Sequence, residues 1–240
     1  MKRLKLLLGI FMTLLFVIAC SQASQSSLSN SGLELVNEPS APLQEAGKAS
    51  TYNFDNDKTG QLPAKFHTGL TGGGRKVEWI VKEDPTAPSK PNVMAQVSND
   101  KTDYRFPLFI SDEGSYKDLE LSVKFKAISG EVDQAAGLIF RLKDAENYYI
   151  VRANALEGNY RLYHVIKGER KQFGAANFKV PSGEWHELKV ECVGDKITCY
   201  FDGEKKIEAT DSTFKDAGKI GLWTKADSVT YFDDLTVTAK

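Results

Sequence analysis

The chain has 240 residues, with 31 basic and 32 acidic side chains, and its formal net charge is −1. Without Lys2, Arg3 and Lys5, 28 basic residues stand against 32 acidic ones, a charge of −4. A mildly acidic body excludes nucleic acid as a partner, because that would need a concentrated basic stripe. The densest basic segment, residues 167–171, is interrupted by a glycine and a glutamate, which predicts a solvated hairpin tip.

Met1 to Cys20 has the pattern of an export signal. The basic start is followed by an apolar run of about fourteen residues, too short to span ~30 Å of hydrocarbon. Cys20 follows a small residue and resembles the acylated cysteine of bacterial lipoproteins. We therefore predict a signal peptide over 1–19, lipidation of Cys20, and a membrane-anchored protein of the cell envelope that faces the periplasm or the cell exterior. An ordinary secretory peptide cleaved nearby is the alternative.

Residues 20–48 are rich in Ser, Gln, Asn, Ala and Pro and lack hydrophobic periodicity. Such a stretch cannot bury enough apolar surface to offset its ordering entropy, which predicts a flexible tether.

From residue 49 onward, short runs with alternating polarity are separated by turn residues. Leu119 to Lys126, Leu188 to Cys192 and Tyr231 to Thr238 alternate at period two, as half-buried antiparallel strands do. Turn signals recur between such runs, and no segment sustains a 3.6-residue period. We predict one all-β domain over 49–240, a two-sheet antiparallel jelly-roll sandwich of about a dozen strands.

Cys192 and Cys199 flank a predicted hairpin turn at Gly194. In that hairpin Cys192 lies opposite Ile197, and Cys199 opposite Val190. Diagonal neighbours are usually farther apart than the ~3.8 Å Cβ separation of a disulfide. We expect two reduced core thiols, although an oxidising compartment permits a disulfide.

Two neighbouring strands carry arginines and tyrosines on one face. We expect the strands through Phe140 and Tyr149 to pair around a turn at 143–146, which places Arg141 opposite Tyr148. Aromatic rings can stack on the apolar faces of sugars, and guanidinium groups donate to hydroxyls or carboxylates. The alternative is a solvated sheet with no ligand. The core face of the two strands would hold Leu138, Phe140, Leu142, Tyr149 and Val151. The predicted sugar contacts are Arg141, Tyr148, Arg152, Arg161 and Tyr163, with Trp223 at their border.

The segments around this face carry a family resemblance. Gly137 to Arg141 and Asn147 to Arg152, with Asp144 between them, are similar to a pattern in concanavalin A-like lectin/glucanase sandwiches. More narrowly, they resemble the bacterial family-16-glycosidase-like or 3-keto-disaccharide-hydrolase-like group. The resemblance implies this fold from about residue 52 to residue 237. Proteins of this fold include glycosidases, lyases and sugar-binding modules, so the fold alone does not name the activity. Supporting segments are Ala87 to Val93, Trp185 to Leu188, Asp202-Gly203, Gly218 to Thr224 and Phe232 to Leu235.

The sequence lacks the motifs of the enzymes in this fold. The Glu-x-Asp-x-x-Glu run of family-16 glycosidases is absent, and His67, His164 and His186 have no metal-ligand spacing. We therefore predict carbohydrate binding without catalysis. One alternative is a hydrolase or lyase acting on 3-keto-glycosides, as the narrower resemblance implies. Another is a scaffold lipoprotein that binds no sugar.

Four aspartates could supply oxygen ligands to Ca²⁺. Asp55 and Asp57 lie near the first strand, and Asp233 and Asp234 lie on the last. Terminal strands are neighbours in many such sandwiches, so we expect a structural calcium site at these residues. The alternative is turn chemistry for the first pair and simple exposure for the second.

Overall fold

A computed structural model describes residues 42–43 and 45–240 of the chain. The predicted signal peptide, the lipidation site at Cys20 and most of the predicted tether lie outside these residues. Within the described part, no helix is long and apolar enough to cross a bilayer.

The described residues form two antiparallel β-sheets, which confirms the predicted all-β sandwich. The first sheet contains β1 (Ala49–Tyr52), β3 (Trp79–Glu83), β4 (Asn92–Gln96), β6 (Leu119–Ser129), β11 (His186–Val193), β12 (Lys196–Phe201), β13 (Glu204–Thr210) and β15 (Val229–Ala239). The second sheet contains β2 (Phe66–Gly72), β5 (Arg105–Ser111), β7 (Ala135–Asp144), β8 (Asn147–Asn154), β9 (Asn159–Ile166), β10 (Glu169–Asn177) and β14 (Lys219–Trp223). Strand order is β13-β12-β11-β6-β15-β4-β3 in the first sheet, with β1 on β15, and β10-β9-β8-β7-β14-β5-β2 in the second.

The main core lies between the sheets and follows from the alternation in the sequence. Along β6, Leu119, Leu121, Val123 and Phe125 are buried, and the polar residues between them are partly exposed. The predicted cysteine register is confirmed: Cys192 lies opposite Ile197, Cys199 lies opposite Val190, and both thiols are free and buried.

The second sheet curls around its outer face, which we call the concave face. Adjacent strands lie ~4.8 Å apart, so β10 and β5, five steps apart, would be roughly 24 Å apart in a flat sheet. Instead, the guanidinium carbon of Arg170 on β10 lies 4.2 Å from the ring centroid of Phe106 on β5. A second apolar cluster therefore forms on this face. It includes Phe106, Leu108, Ile139, Tyr148, Ile150, Val165 and Trp223, all buried.

A β-bulge interrupts the pairing of β7 with β8. Phe140 lies opposite Tyr149, as predicted, but the register shifts before Asp144, and Arg141 has a φ of 48°. A bulge reverses the faces to which the following side chains point. Leu142 consequently packs in the second cluster, and its predicted place in the main core is wrong.

Candidate functional site

Arg141 is a buried structural residue, only 1% exposed. Its Nε donates to the carbonyl of Lys117 at 2.7 Å, its Nη1 to Phe214 at 2.8 Å and its Nη2 to Gly194 at 2.7 Å. Nη2 also lies 3.2 Å from a carboxylate oxygen of Asp118. The predicted place of Arg141 on the sugar-contacting face is therefore wrong, because the bulge turns its side chain toward loops at the end of the sandwich.

Tyr148 and Trp223 lie beneath the concave face. The Tyr148 hydroxyl hydrogen-bonds the Thr71 hydroxyl at 2.8 Å, and burial raises the pKa of Tyr148 to about 12. Trp223 stacks on Phe106 with ring centroids 5.2 Å apart. Both side chains are fully buried, so the expectations that Tyr148 is a surface contact and that Trp223 borders the sugar contacts are wrong. The curl of the sheet encloses these rings, which form a buried aromatic layer beneath the concave face.

Arg152 and Tyr163 lie together on the concave face, as predicted. The Arg152 Nη2 is 3.0 Å from a carboxylate oxygen of Glu157 and donates to the Tyr163 hydroxyl at 3.2 Å. Nη1 donates to the side-chain oxygen of Asn159. Burial alone would raise the pKa of Glu157, but the hydrogen bond from Asn159 and the charge of Arg152 outweigh burial, so the pKa lies below its usual value. Arg152 is thus fixed in place by its neighbours.

Arg161 pairs in register with Arg152 but reaches toward the edge of the sheet. Its Nη1 donates to the carbonyl of Ala176 at 2.6 Å, and its Nη2 donates to the side chain of Asn177 at 2.7 Å. It lies at the margin of the face.

Arg170 occupies the centre of the face and was not among the residues predicted from the sequence. Its guanidinium carbon lies 4.2 Å from the ring centroid of Phe106, 5.0 Å from that of Tyr163 and 5.6 Å from that of Trp223. Its buried Nε and Nη1 have no hydrogen-bond partner among the described residues. Burial lowers the pKa of Arg170, and the charge of Arg152 adds to this effect.

The prediction of a solvated hairpin tip at residues 167–171 is therefore wrong for Arg170. Arg170 pairs with Val165, which lies on the concave face, so its side chain projects over the buried aromatic layer. The sequence does contain a signal for this position. Arg170 lies two residues after Gly168, and the alternation of side chains along the strand places it on the face that carries Tyr163 and Val165.

A lysine held by two carboxylates completes the site. The Nζ of Lys225 lies 2.9 Å from Asp133 and 2.6 Å from Asp103. Asp133 is fully buried, accepts a hydrogen bond from Asn154 at 2.5 Å, and has a pKa raised by burial. The charge of Arg152 lowers the pKa of Asp133, and the charge of Glu157 raises it. The ion pair of Lys225 with Asp133 is therefore electrostatically coupled to the ion pair of Arg152 with Glu157. We call Asp133, Arg152, Glu157, Tyr163, Arg170 and Lys225 the concave cluster.

The predicted calcium ligands fall into two groups. Asp55 and Asp233 are bridged by Ser89, whose hydroxyl donates to Asp55 at 2.6 Å and whose N–H donates to Asp233 at 2.8 Å. Burial raises the pKa of Asp233 to about 6. Asp57 and Asp234 contribute backbone atoms to the surrounding hydrogen bonds. No group of three or more metal-ligating side chains occurs in the described part of the chain. Calcium binding here stays a prediction.

Comparisons with known proteins agree with this architecture. A family described as the 3-keto-alpha-glucoside-1,2-lyase-like domain matches residues 64–238. The carbohydrate-binding module CBM66 from Bacillus subtilis superposes with a TM-score of 0.57 at 20% identity, covering 72% of this chain and 95% of that one. The cellulose-induced protein Cip1 superposes with a TM-score of 0.59 at 11% identity, covering 80% of this chain and 97% of that one. A comparison with curated protein sequences finds no match. The chain has the jelly-roll fold of these structures and belongs to the 3-keto-alpha-glucoside-1,2-lyase-like domain family.

Proposed function

We propose that this domain binds carbohydrate at the concave cluster without catalysis, as the folded part of a cell-envelope lipoprotein. The observation that carries the proposal is the position of Arg170 over three aromatic rings, with two N–H-bearing nitrogens that lack partners among the described residues.

The cluster combines the groups that recognise sugars. Binding sites for small molecules pair an apolar floor with a few placed polar groups. Here the partly exposed ring of Tyr163 packs against the buried rings of the cluster that includes Phe106 and Trp223 and supplies the apolar contact, and Arg152 and Arg170 supply hydrogen-bond donors. The hydrogen bonds of Arg152 and the rings around Arg170 hold both guanidinium groups in place. The two side chains therefore lose little conformational entropy when a ligand binds. The fold shared with a carbohydrate-binding module agrees with this use.

A glycan array probed with the full-length protein tests the proposal. We expect a hit whose affinity falls in Arg170→Gln, which breaks no hydrogen bond of the folded protein. Trp185→Ala is the matched control, because Trp185 is a half-buried aromatic residue that lines a different cleft, of about 420 Å³, with Lys124 and Asp202. Loss of binding in Trp185→Ala but not in Arg170→Gln would contradict the proposed location.

Anchoring rests on the N-terminal pattern. The acylation of Cys20 would hold the domain at a membrane, with residues 21–48 as the tether. Replacing Cys20 with Ala should move the protein from the membrane fraction to the soluble fraction of the producing cells. An unchanged membrane fraction would contradict lipid anchoring through this residue.

A second candidate is an enzyme that acts on 3-keto-glycosides. The observation that favours it is Asp133, a fully buried carboxyl group with a raised pKa beside Lys225, because perturbed carboxyl groups can act as acids or bases. Full-length protein would be incubated with a 3-keto-disaccharide, with and without divalent metals. Breakdown of the sugar that is lost in Asp133→Asn would establish catalysis and overturn binding alone.

A further inference from the structure

We propose that the sugar recognised at the concave cluster is anionic and that a carboxylate or sulfate group of the sugar pairs with Arg170. This inference rests on the proposed sugar binding and specifies its ligand class.

The three basic side chains of the concave cluster differ in their carboxylate partners. Lys225 is compensated by two carboxylates, Asp103 and Asp133. Arg152 is compensated by Glu157 at 3.0 Å. The ion pairs of the described residues leave Arg170 without such a partner, and its Nε and Nη1 are buried without a hydrogen bond among those residues. Among the described residues, Arg170 is therefore the basic group of the cluster that has no carboxylate at ion-pair distance, and the second carboxylate on Lys225 balances its charge only from farther away.

Arg152 and Arg170 lie around one ring, that of Tyr163. Their guanidinium carbons lie 5.9 and 5.0 Å from the centroid of Tyr163. The Nε of Arg152 is also buried without a partner among the described residues. An anion at this position would lie beside two guanidinium groups, of which Arg152 is already paired with Glu157, and would have the phenolic hydroxyl as a third neighbour.

The guanidinium group of Arg170 favours an anionic partner over a neutral one. A buried charge is costly unless it is paired, and a neutral hydroxyl would accept an N–H without compensating the charge. A planar guanidinium matches the oxygens of a carboxylate or sulfate, and such charge-assisted bonds are roughly twice as strong as neutral ones. The rings of Phe106, Tyr163 and Trp223 already fix the guanidinium, and the partly exposed ring of Tyr163 offers an apolar surface beside it for the sugar carbons.

The test compares sugars that differ only in charge. Oligogalacturonate, oligomannuronate and oligoglucuronate would each be titrated into the full-length protein beside their methyl esters, which keep the sugar skeleton and remove the charge. A sulfated galactan oligosaccharide and its desulfated form make the second arm, and inorganic sulfate alone is the third. A neutral glycan array is run in parallel.

We expect at least one acidic sugar to bind about 10-fold or more tightly than its neutral counterpart, in keeping with one charge-assisted bond. Arg170→Gln should abolish this preference, and Arg170→Lys should retain part of it. Lys171→Gln is the matched control, since Lys171 is exposed on the same strand and its removal changes the net charge equally.

Each outcome has one meaning. Preference for the uronate or for the sulfated sugar supports the inference and tells the two anionic groups apart. Neutral sugars that bind as well as acidic ones would overturn the inference and leave the proposed sugar binding intact. Binding of inorganic sulfate with no sugar bound would overturn both, because it would show an anion site that recognises no glycan. No binding of any glycan or ion would also overturn both.

Discussion

Replacing Arg141 with Ala separates a structural arginine from a ligand-binding one. The substitution removes three hydrogen bonds to backbone carbonyls, those of Lys117, Gly194 and Phe214, and one contact with Asp118. Hydrogen bonds to charged groups contribute about 1.5–3 kcal/mol each, and part of this loss is recovered because water reaches the half-buried carbonyls. We therefore expect the free energy of unfolding to fall by about 3–5 kcal/mol, a large share of the 5–15 kcal/mol typical of a domain.

Urea-induced unfolding of the full-length protein, followed by tryptophan fluorescence, measures this change. Lys171→Ala is the control, because Lys171 is exposed on β10 and its replacement should cost no more than about 1 kcal/mol. Glycan affinity should be unchanged for whatever fraction of Arg141→Ala remains folded. A loss below about 1 kcal/mol, combined with loss of glycan binding, would refute this assignment and restore Arg141 to the binding face.

Three further predictions concern the thiols, the buried aspartate and the calcium hypothesis. Burial raises the pKa of Cys192 to about 11 and that of Cys199 further. Neither thiol should therefore react with iodoacetamide at pH 8 until urea unfolds the chain. Thiols that stay unreactive in urea without a reductant would instead indicate a disulfide. The pKa of Asp233 is raised to about 6, so the folded protein holds this proton more tightly than the unfolded chain does. The stability it contributes is present below about pH 4 and is lost as the pH rises through 6, so unfolding midpoints of the wild type and Asp233→Asn should diverge over that interval; parallel pH profiles would contradict the assignment. Added Ca²⁺ should raise the melting temperature of the wild type but not of Asp233→Asn if Asp55 and Asp233 bind it, and an unchanged wild type would contradict calcium binding.

The sandwich and much of the strand pairing were predictable because they follow from local patterns. Alternation along β6 and β15 marks the core face, and turn residues set the hairpins that place Cys192 opposite Ile197 and Phe140 opposite Tyr149. In each case a period of two residues and a short turn are enough to determine the register.

The site was only partly predictable, because it depends on non-local geometry. A bulge after Phe140 removes Arg141 from the face, and no residue type in that segment signals it. The curl of the second sheet buries Tyr148 and brings Arg170 close to Phe106. Arg170 and Phe106 lie on β10 and β5, which are far apart in the strand order of the sheet. Arg152 and Tyr163 were placed correctly because both lie on regular strands whose pairing needs no curvature to predict.

The central claim is that the concave face is where carbohydrate binds, and hydrogen–deuterium exchange with the strongest glycan from the array tests it most directly. The account predicts slower amide exchange on binding in residues 147–177, which carry Arg152, Tyr163 and Arg170, and unchanged exchange around Trp185 and Asp202 on the first sheet. Protection confined to the segment from Trp185 to Asp202, with residues 147–177 unchanged, would contradict it.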